Sequence, residues 1–311
     1  MDNIICVVGP TASGKTRLSV ALAEAFGGEI VSCDSMQIYR GMDIGTAKPT
    51  QEEKGGIAHH MMDFLDPRED YSVSRYVQQA DACVQDILSR GKKVIVVGGT
   101  GLYVDSLIQG REFAPFPQTG RREELTETAR KQGIEVLCRQ LAEVDPEAAA
   151  SIHPANEKRV IRALEVYLET GKTITQHNLE SRKQPPKYEP CWIGLDYVNR
   201  SALYTRIDRR VEEMFLQGLE QEVRTLLAHG VPATATAMQA IGYKELCACL
   251  DGRCSLQEAK AAIGQASRRY AKRQRTWFRR NEKIHWLELT DEPDFEGVLA
   301  RAMEELRAAG Q

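Results

Sequence analysis

The chain has 311 residues, of which 42% are hydrophobic and 27% charged, and its net charge is −3. These proportions belong to a folded globular protein, exclude disordered and fibrous classes, and allow one large domain or two modest ones. The longest apolar runs, Ile4–Val8 and residues 94–97, are far too short to span a bilayer, and Asp2 stands where a secretory signal would carry lysine or arginine, so a cytosolic protein is predicted.

Ile4-Ile5-Cys6-Val7-Val8 is a continuous apolar run, the pattern of a strand buried on both faces of a parallel sheet, and a helix follows from about Lys15. Residues 29–33 read as a second strand ending at Asp34. Ser72 caps a predicted helix whose apolar residues Val73, Tyr76, Val77, Ala80, Val84, Ile87 and Leu88 share one 3.6-period face, and Gly91 stops it. Residues 93–97 form a third predicted strand, which breaks at Gly98-Gly99-Thr100-Gly101 before more helix. Strands and helices alternating through short links predict an α/β parallel sheet.

Near Phe113 the pattern changes. Residues 114–120 read as a linker, and 121 to about 170 as helices with no strand candidate, divided by Asp145-Pro146 and His153-Pro154. The polar stretch 173–190, ending in Pro185-Pro186, reads as a second boundary. Strand character returns at 191–197, helices are predicted at 200–227, 236–250 and 255–280, and 284–289 is the predicted final strand. The eight cysteines include no C-x-x-C pair and read as small buried hydrophobes of a reducing compartment. The six histidines, His59-His60 included, lack metal-ligand spacing and read as structural.

Gly9-Pro10-Thr11-Ala12-Ser13-Gly14-Lys15-Thr16 fits the phosphate-loop pattern G-x-x-x-x-G-K-[ST] at every position, directly after a buried strand and opening a helix. There the loop N–H groups and the positive helix end bind phosphate oxygens, Lys15 supplies a point charge, and Thr16 can hold Mg²⁺. The expected fold is a P-loop NTPase-like parallel sheet flanked by helices with an inserted all-helical domain. Its core spans residues 1–115 and 190–311, and the insert residues 116–189. A kinase or NTPase should also place an acid at the end of an adjacent strand for Mg²⁺. The third strand ends without one, and the N-K-x-D signature of GTPases is absent. The acid that does occur is Asp34, at the carboxyl end of the second strand, the edge where open α/β sheets bind ligands.

Three blocks resemble the tRNA dimethylallyltransferases, also called tRNA isopentenyltransferases: Asp34-Ser35-Met36-Gln37-Ile38-Tyr39-Arg40, Asp43-Ile44-Gly45-Thr46-Ala47-Lys48-Pro49, and Gly98-Gly99-Thr100-Gly101-Leu102-Tyr103. The resemblance runs on through Arg159-Val160-Ile161-Arg162-Ala163-Leu164-Glu165-Val166 and Ala240-Ile241-Gly242-Tyr243-Lys244-Glu245. It closes with Tyr270-Ala271-Lys272-Arg273-Gln274-Arg275-Thr276-Trp277, so that it covers nearly the whole chain in order. It implies transfer of a dimethylallyl group from dimethylallyl diphosphate to N6 of the adenosine at tRNA position 37, beside the anticodon, by a monomer. The loop would hold the diphosphate with Mg²⁺ and stabilise the negative charge that develops on the leaving group. The exocyclic N6 is a poor nucleophile and needs a base. The resemblance assigns that role to Asp34, whose bland alternative is a turn former before Ser35. It also brings Thr100 to the reacting centre, with capping of the following helix as its alternative.

An adenosine stacked in an anticodon loop must leave the stack to be modified. The resemblance implies that the anticodon stem-loop is read through Asp34, Ser35, Met36, Gln37 and Thr100, through Lys158, Arg159, Val160, Ile161 and Arg162, and through Arg122 or its neighbour Arg121. Val160 and Ile161 are also core candidates. Arg206 and Arg210, with Arg209 beside them, fit an R-x-x-x-R pattern that would neutralise the diphosphate. Between Ser267 and Lys283 stand eight basic residues and one acid. Arg268, Lys272, Arg275 and Arg279 form one helical stripe there, and Arg269, Arg273 and Arg280 a second. A charge run is usually a solvated face, but such faces mix both signs, so this helix is expected to touch the phosphate backbone, with Lys272 and Arg275 among the contacts. Tyr270 and Trp277 should pack inward. The competing readings are a small-molecule kinase using ATP and a non-catalytic RNA-binding module. ATP binding alone does not discriminate, because such a loop can hold nucleotides without using them.

Overall fold

In the computed structural model, residues 3–111, 119–183 and 185–310 are described, and the chain divides into two compact units, Met1–Gly110 with Lys187–Gln311, and Arg111–Pro186. Residues 114–118 of the predicted linker lie outside the described residues.

The first unit is built on one six-stranded sheet, β1 (Ile4–Val8), β2 (Glu29–Ser32), β3 (His59–His60), β4 (Val94–Gly98), β5 (Cys191–Tyr197) and β6 (Ile284–Leu289). Their order is β3-β2-β4-β1-β5-β6, and every pairing is parallel. Strand β1 lies at the centre and is buried at every position, which is why its sequence is apolar without alternation. Because the strands run the same way, their carboxyl ends share one edge. The turns after β1, β2 and β4 therefore bring Gly9, Asp34 and Thr100 to that edge, and the chain leaves β1 toward β2 on one side and β4 toward β5 on the other. Such a switch in direction opens a crevice.

Helices α1 (Lys15–Phe26), α2 (Val73–Ser89) and α3 (Gly101–Gln109) follow β1, β3 and β4. Ser72 caps α2 by accepting from Arg75 N, as its sequence predicts. The predicted helix 200–227 is in fact two, α9 (Arg200–Leu216) and α10 (Leu219–Ala228), because Gly218 adopts φ 97° between them. The predicted helix 236–250 shortens to α11 (Tyr243–Leu250), since Ala240 is extended and Gly242 has φ 101°. Ser255 and Glu258 form a capping box at the start of α12 (Leu256–Phe278). Two elements of this unit were not expected. Strand β3 is only His59–His60, too short for any periodicity. Helix α13 (Phe295–Ala308) is capped by Asp294 and buries Val298, Ala302 and Leu306, a four-residue spacing that does stand in the sequence.

The second unit is helical: α4 (Arg121–Gln132), α5 (Ile134–Val144), α6 (Pro146–Ser151), α7 (Glu157–Thr170) and α8 (Ile174–Lys183). Its core includes Leu125, Leu137, Leu141, Val160, Ile161 and Leu164. The polar stretch read as a boundary forms α8, whose start is held by a tertiary contact. Buried Asp145 accepts from Thr175 N and Thr175 Oγ1 at 3.1 and 2.7 Å while also capping α6 through Ala148 N. Among the described residues no helix is long and apolar enough to cross a membrane.

Candidate active site

The phosphate loop is closed by its own hydrogen bonds. Ser13 Oγ donates to Pro10 O at 2.9 Å, and Ala12 takes φ 64°, a left-handed conformation that costs a non-glycine residue roughly 1 kcal/mol and marks a constrained loop. Gly9 has no alternative, because a Cβ there would lie 2.3 Å from Leu195 O. Helix α1 begins after Gly14 with no side-chain cap and no acid in its first turn. Its first N–H groups and positive end thus remain available to an anion.

A cavity of about 620 Å³ opens above this loop, lined among others by Lys15, Thr16, Asp34, Gln37, Arg210 and Gln274. Lys15 Nζ donates to Pro10 O at 2.6 Å. Burial and the nearby Arg210 guanidinium pull its pKa down to about 7, against the opposing pull of Asp34. Arg210 donates to Thr11 Oγ1 at 3.1 Å, and burial also lowers its pKa. Of the three predicted arginines, only Arg210 lines the cavity. Arg206 reaches the outer side of the loop at Ala12 O, 3.4 Å, and Arg209 pairs with Glu213 in solvent. Arg206 and Arg210 both reach the loop from α9, whereas Arg209, roughly 100° from Arg210 around the helix, does not.

Asp34 Oδ1 accepts from Met36 N at 2.9 Å and Gln37 N at 3.3 Å, so the carboxylate shapes its own turn while still facing the cavity. Its turn-forming and chemical readings are compatible. Of the two readings of Thr100, helix capping is not the one found. Its hydroxyl does not cap α3 but accepts from Ser35 N at 3.2 Å, tying the β4 turn to the Asp34 turn. Gln37, expected at a base edge, has its amide committed: it donates to Thr46 O and Ala47 O, both 3.1 Å, and accepts from Ser32 Oγ at 3.3 Å.

Two residues of this site escaped the sequence reading. Gln274 is buried; it accepts from Thr11 N at 2.8 Å and donates to Gly99 O at 3.0 Å, bridging the phosphate loop to the β4 turn. Tyr270 has its pKa pushed up to about 12 by burial and the Asp34 charge, while hydrogen bonds to Thr100 and Gln274 oppose the shift. Both stand on α12, whose basic letters drew attention outward. The signal was the uncharged set Tyr270, Gln274 and Trp277 at helical spacing; Trp277 itself donates to Asp105 at 2.9 Å.

A second cavity, of about 260 Å³, is lined among others by Ser35, Met36, Ser267 and Arg273. Thr11, Asp34, Arg210 and Tyr270 border both cavities, so the aspartate stands in the wall between them.

The structure reassigns much of the basic helix. Arg275 and Arg279 each lie 2.9 Å from the carboxylate of Asp196, which is buried at the end of β5. Arg268 pairs with Asp208 on α9. Arg275, predicted to touch RNA, is therefore committed to a structural ion pair, because a buried carboxylate requires a partner. Lys272 and Arg269 have no acidic partner among the described residues. Arg273 lies over the Tyr270 ring at 5.4 Å and Arg280 over Trp277 at 4.1 Å. The free positive surface is thus Lys272 with the second stripe.

In the helical unit, Val160 and Ile161 are 1% and 7% exposed, which removes them as RNA contacts and makes them core. Lys158 and Arg159 are exposed on the opposite face of α7. Arg122 and Arg162 both pair with Glu165, at 2.8 and 2.7 Å, whereas Arg121 pairs with Glu124 beside it. Arg122 thus joins the face carrying Arg162, and Arg121 does not.

Thr16 suits Mg²⁺. Its side chain lines the cavity and makes no hydrogen bond among the described residues, and no group of three or more His, Cys, Asp or Glu there could hold a metal by itself. Mg²⁺ keeps several waters and takes few protein ligands alongside substrate phosphates.

The chain resembles known proteins along most of its length. The profile of the IPP transferase family matches residues 37–281. A tRNA dimethylallyltransferase of Caldanaerobacter subterraneus subsp. tengcongensis is 47% identical over 305 residues, 97% of each chain. The crystal structure of the full-length tRNA isopentenylpyrophosphate transferase from Bacillus halodurans superposes with a TM-score of 0.74 at 42% identity, covering 99% of this chain and 95% of that one. A eukaryotic dimethylallyltransferase acting on tRNA gives a TM-score of 0.81 at 29% identity, covering 98% of this chain and 79% of that one. The chain belongs to the IPP transferase family.

Proposed function

We propose that this enzyme transfers a dimethylallyl group from dimethylallyl diphosphate to N6 of the adenosine at tRNA position 37, releasing diphosphate. One observation carries the reading: Asp34 stands between the phosphate-loop cavity and the smaller cavity bearing Ser35, Met36 and Arg273. A donor seated in the first and a base entering the second would meet at its carboxylate.

The diphosphate occupies the loop, held by the N–H groups at the start of α1, by Lys15 and by Arg210. Its negative charge restores the proton that burial weakens on Lys15. Thr16 would hold Mg²⁺, which would supply further positive charge to the leaving group. As the allylic C–O bond lengthens, charge grows on the departing oxygens, and these groups, already oriented, stabilise it. Asp34 takes the N6 proton as the C–N bond forms. Its turn is held from two sides, by its own acceptance of Met36 N and Gln37 N and by Thr100 on Ser35 N, so the base arrives positioned.

Outside the reacting centre, Lys272, Arg269 and Arg273 on α12 bind phosphates of the anticodon stem-loop. Lys158, Arg159, Arg162 and Arg122 provide the corresponding surface of the helical unit. The enzyme acts as a monomer in the cytoplasm. Incubation with tRNA, Mg²⁺ and radiolabelled dimethylallyl diphosphate tests the assignment. Label should enter tRNA with the wild type and be largely lost with Asp34→Ala. ATP consumption on a small acceptor without labelling of RNA would replace this reading with a kinase.

A further inference from the structure

The segment that follows the Asp34 turn is clasped by a carboxylate from far along the chain. Glu222, on α10, accepts from three consecutive backbone N–H groups, Asp43 and Ile44 at 2.8 Å each and Gly45 at 3.1 Å. The Tyr243 hydroxyl donates to the same carboxylate at 2.6 Å, and the Tyr243 ring is fully buried. Burial and the Glu222 charge together raise the pKa of that phenol, so it remains a donor. Gly45 permits the approach, since a Cβ there would lie 2.4 Å from the ring. Three N–H groups converging on one acceptor need an anion, and only a carboxylate supplies enough lone pairs to satisfy them.

The clasp connects to the reacting centre through an unbroken series of bonds. Thr46 Oγ1 donates to Met42 O at 2.5 Å and Ala47 N to Ile44 O at 3.0 Å, so fixing residues 43–45 fixes the two carbonyls that follow. Those carbonyls, Thr46 O and Ala47 O, receive both amide protons of Gln37. Gln37 N in turn donates to Asp34 Oδ1. Lys48 anchors the far end of the segment on Tyr39 O, Asp43 and Asp63, each at 2.6 Å. We infer that Glu222, with Tyr243, is a positioning residue that sets the orientation of the Asp34 carboxylate through the 43–47 segment and Gln37. The inference rests on Asp34 serving as the base.

Glu222→Gln keeps the shape but turns an amide N–H₂ toward N–H groups that need an acceptor. A shift of about 1 Å at a reacting group costs on the order of a hundredfold, so the single-turnover transfer rate should fall 10- to 100-fold, with the KM for tRNA and the affinity for inorganic diphosphate unchanged. The deciding experiment repeats this in an Asp34→Ala background. If Glu222 works through Asp34, the second substitution costs almost nothing there. An equal loss in both backgrounds, or no loss in either, would overturn the inference. A full rate for Asp34→Ala alone would instead remove the base assignment, and that is read before Glu222 is touched. If Glu222→Gln loses diphosphate binding through misfolding, Tyr243→Phe removes a single bond of the clasp. It should cost about three- to tenfold with Asp34 present and nothing without it; equal costs would overturn the inference.

Discussion

Lys15 makes donor binding weaken as pH rises above 7. In the free protein its pKa stands at about 7 through burial and the neighbouring Arg210 charge, whereas the ordinary value is 10.5. A bound diphosphate favours the ammonium, so above pH 7 binding takes up one proton. The donor's terminal phosphate, with a second pKa of about 6, is already ionised in that range and does not mask the effect. Between pH 7 and 9 the protonated fraction of free Lys15 falls about fiftyfold, so Kd should rise by nearly that factor, about 2.3 kcal/mol at 1.36 kcal/mol per unit. Calorimetric titration with a non-reacting dimethylallyl diphosphate analogue, in two buffers of different ionisation enthalpy, measures both the Kd and the proton uptake. Lys15→Arg keeps its charge throughout and should bind with a flat profile. A Kd that stays constant for the wild type from pH 7 to 9, without proton uptake, would refute the reasoning. The linkage to folding has the opposite sign: between about pH 7 and 10.5 the unfolded chain carries a proton on Lys15 that the folded chain lacks, so this group makes the free protein more stable as pH rises.

Three other substitutions separate scaffolding from recognition. Gln274→Leu strands the Gly99 carbonyl and the Thr11 N–H, at a cost of about 1–3 kcal/mol for the buried acceptor; Tm should fall and KM for the donor rise about tenfold, and an unchanged KM would mean the bridge does not shape the loop. Arg275→Met weakens the pairing of buried Asp196 and should cost about 3 kcal/mol, lowering Tm by roughly 6–12 °C with little change in tRNA affinity. Lys272→Met should do the reverse, leaving Tm unchanged and reducing the slope of log affinity against log salt by about 1; equal effects from the two variants would void the distinction.

The sequence alone settled the features that are local or repeated. The unbroken apolar run of β1, the eight-residue phosphate loop after it and the one-faced pattern of α2 each follow from rules acting over a few residues. So do Ser72 and the parallel α/β reading, and the motif blocks located Asp34 and Thr100. Where two backbone conformations compete within a span, local letters were insufficient, as at Gly218 and Gly242, where glycines with positive φ divide predicted helices.

What only the tertiary structure decided is the partner of each charged or polar side chain. Arg275 and Lys272 stand on one stripe of a basic helix, yet Arg275 meets the buried Asp196 of β5 and Lys272 faces solvent, because where β5 ends decides which of them finds an acid. Val160 and Arg159 are adjacent and about 100° apart around α7, and one is core and the other surface. Gln274 and Glu222 matter through backbone groups 175 and 179 positions away, Gly99 O and Asp43 N. Backbone donors and acceptors carry no letter of their own, so no pattern in the sequence marks which distant side chain will satisfy them; folding does, because burying them unpaired is costly.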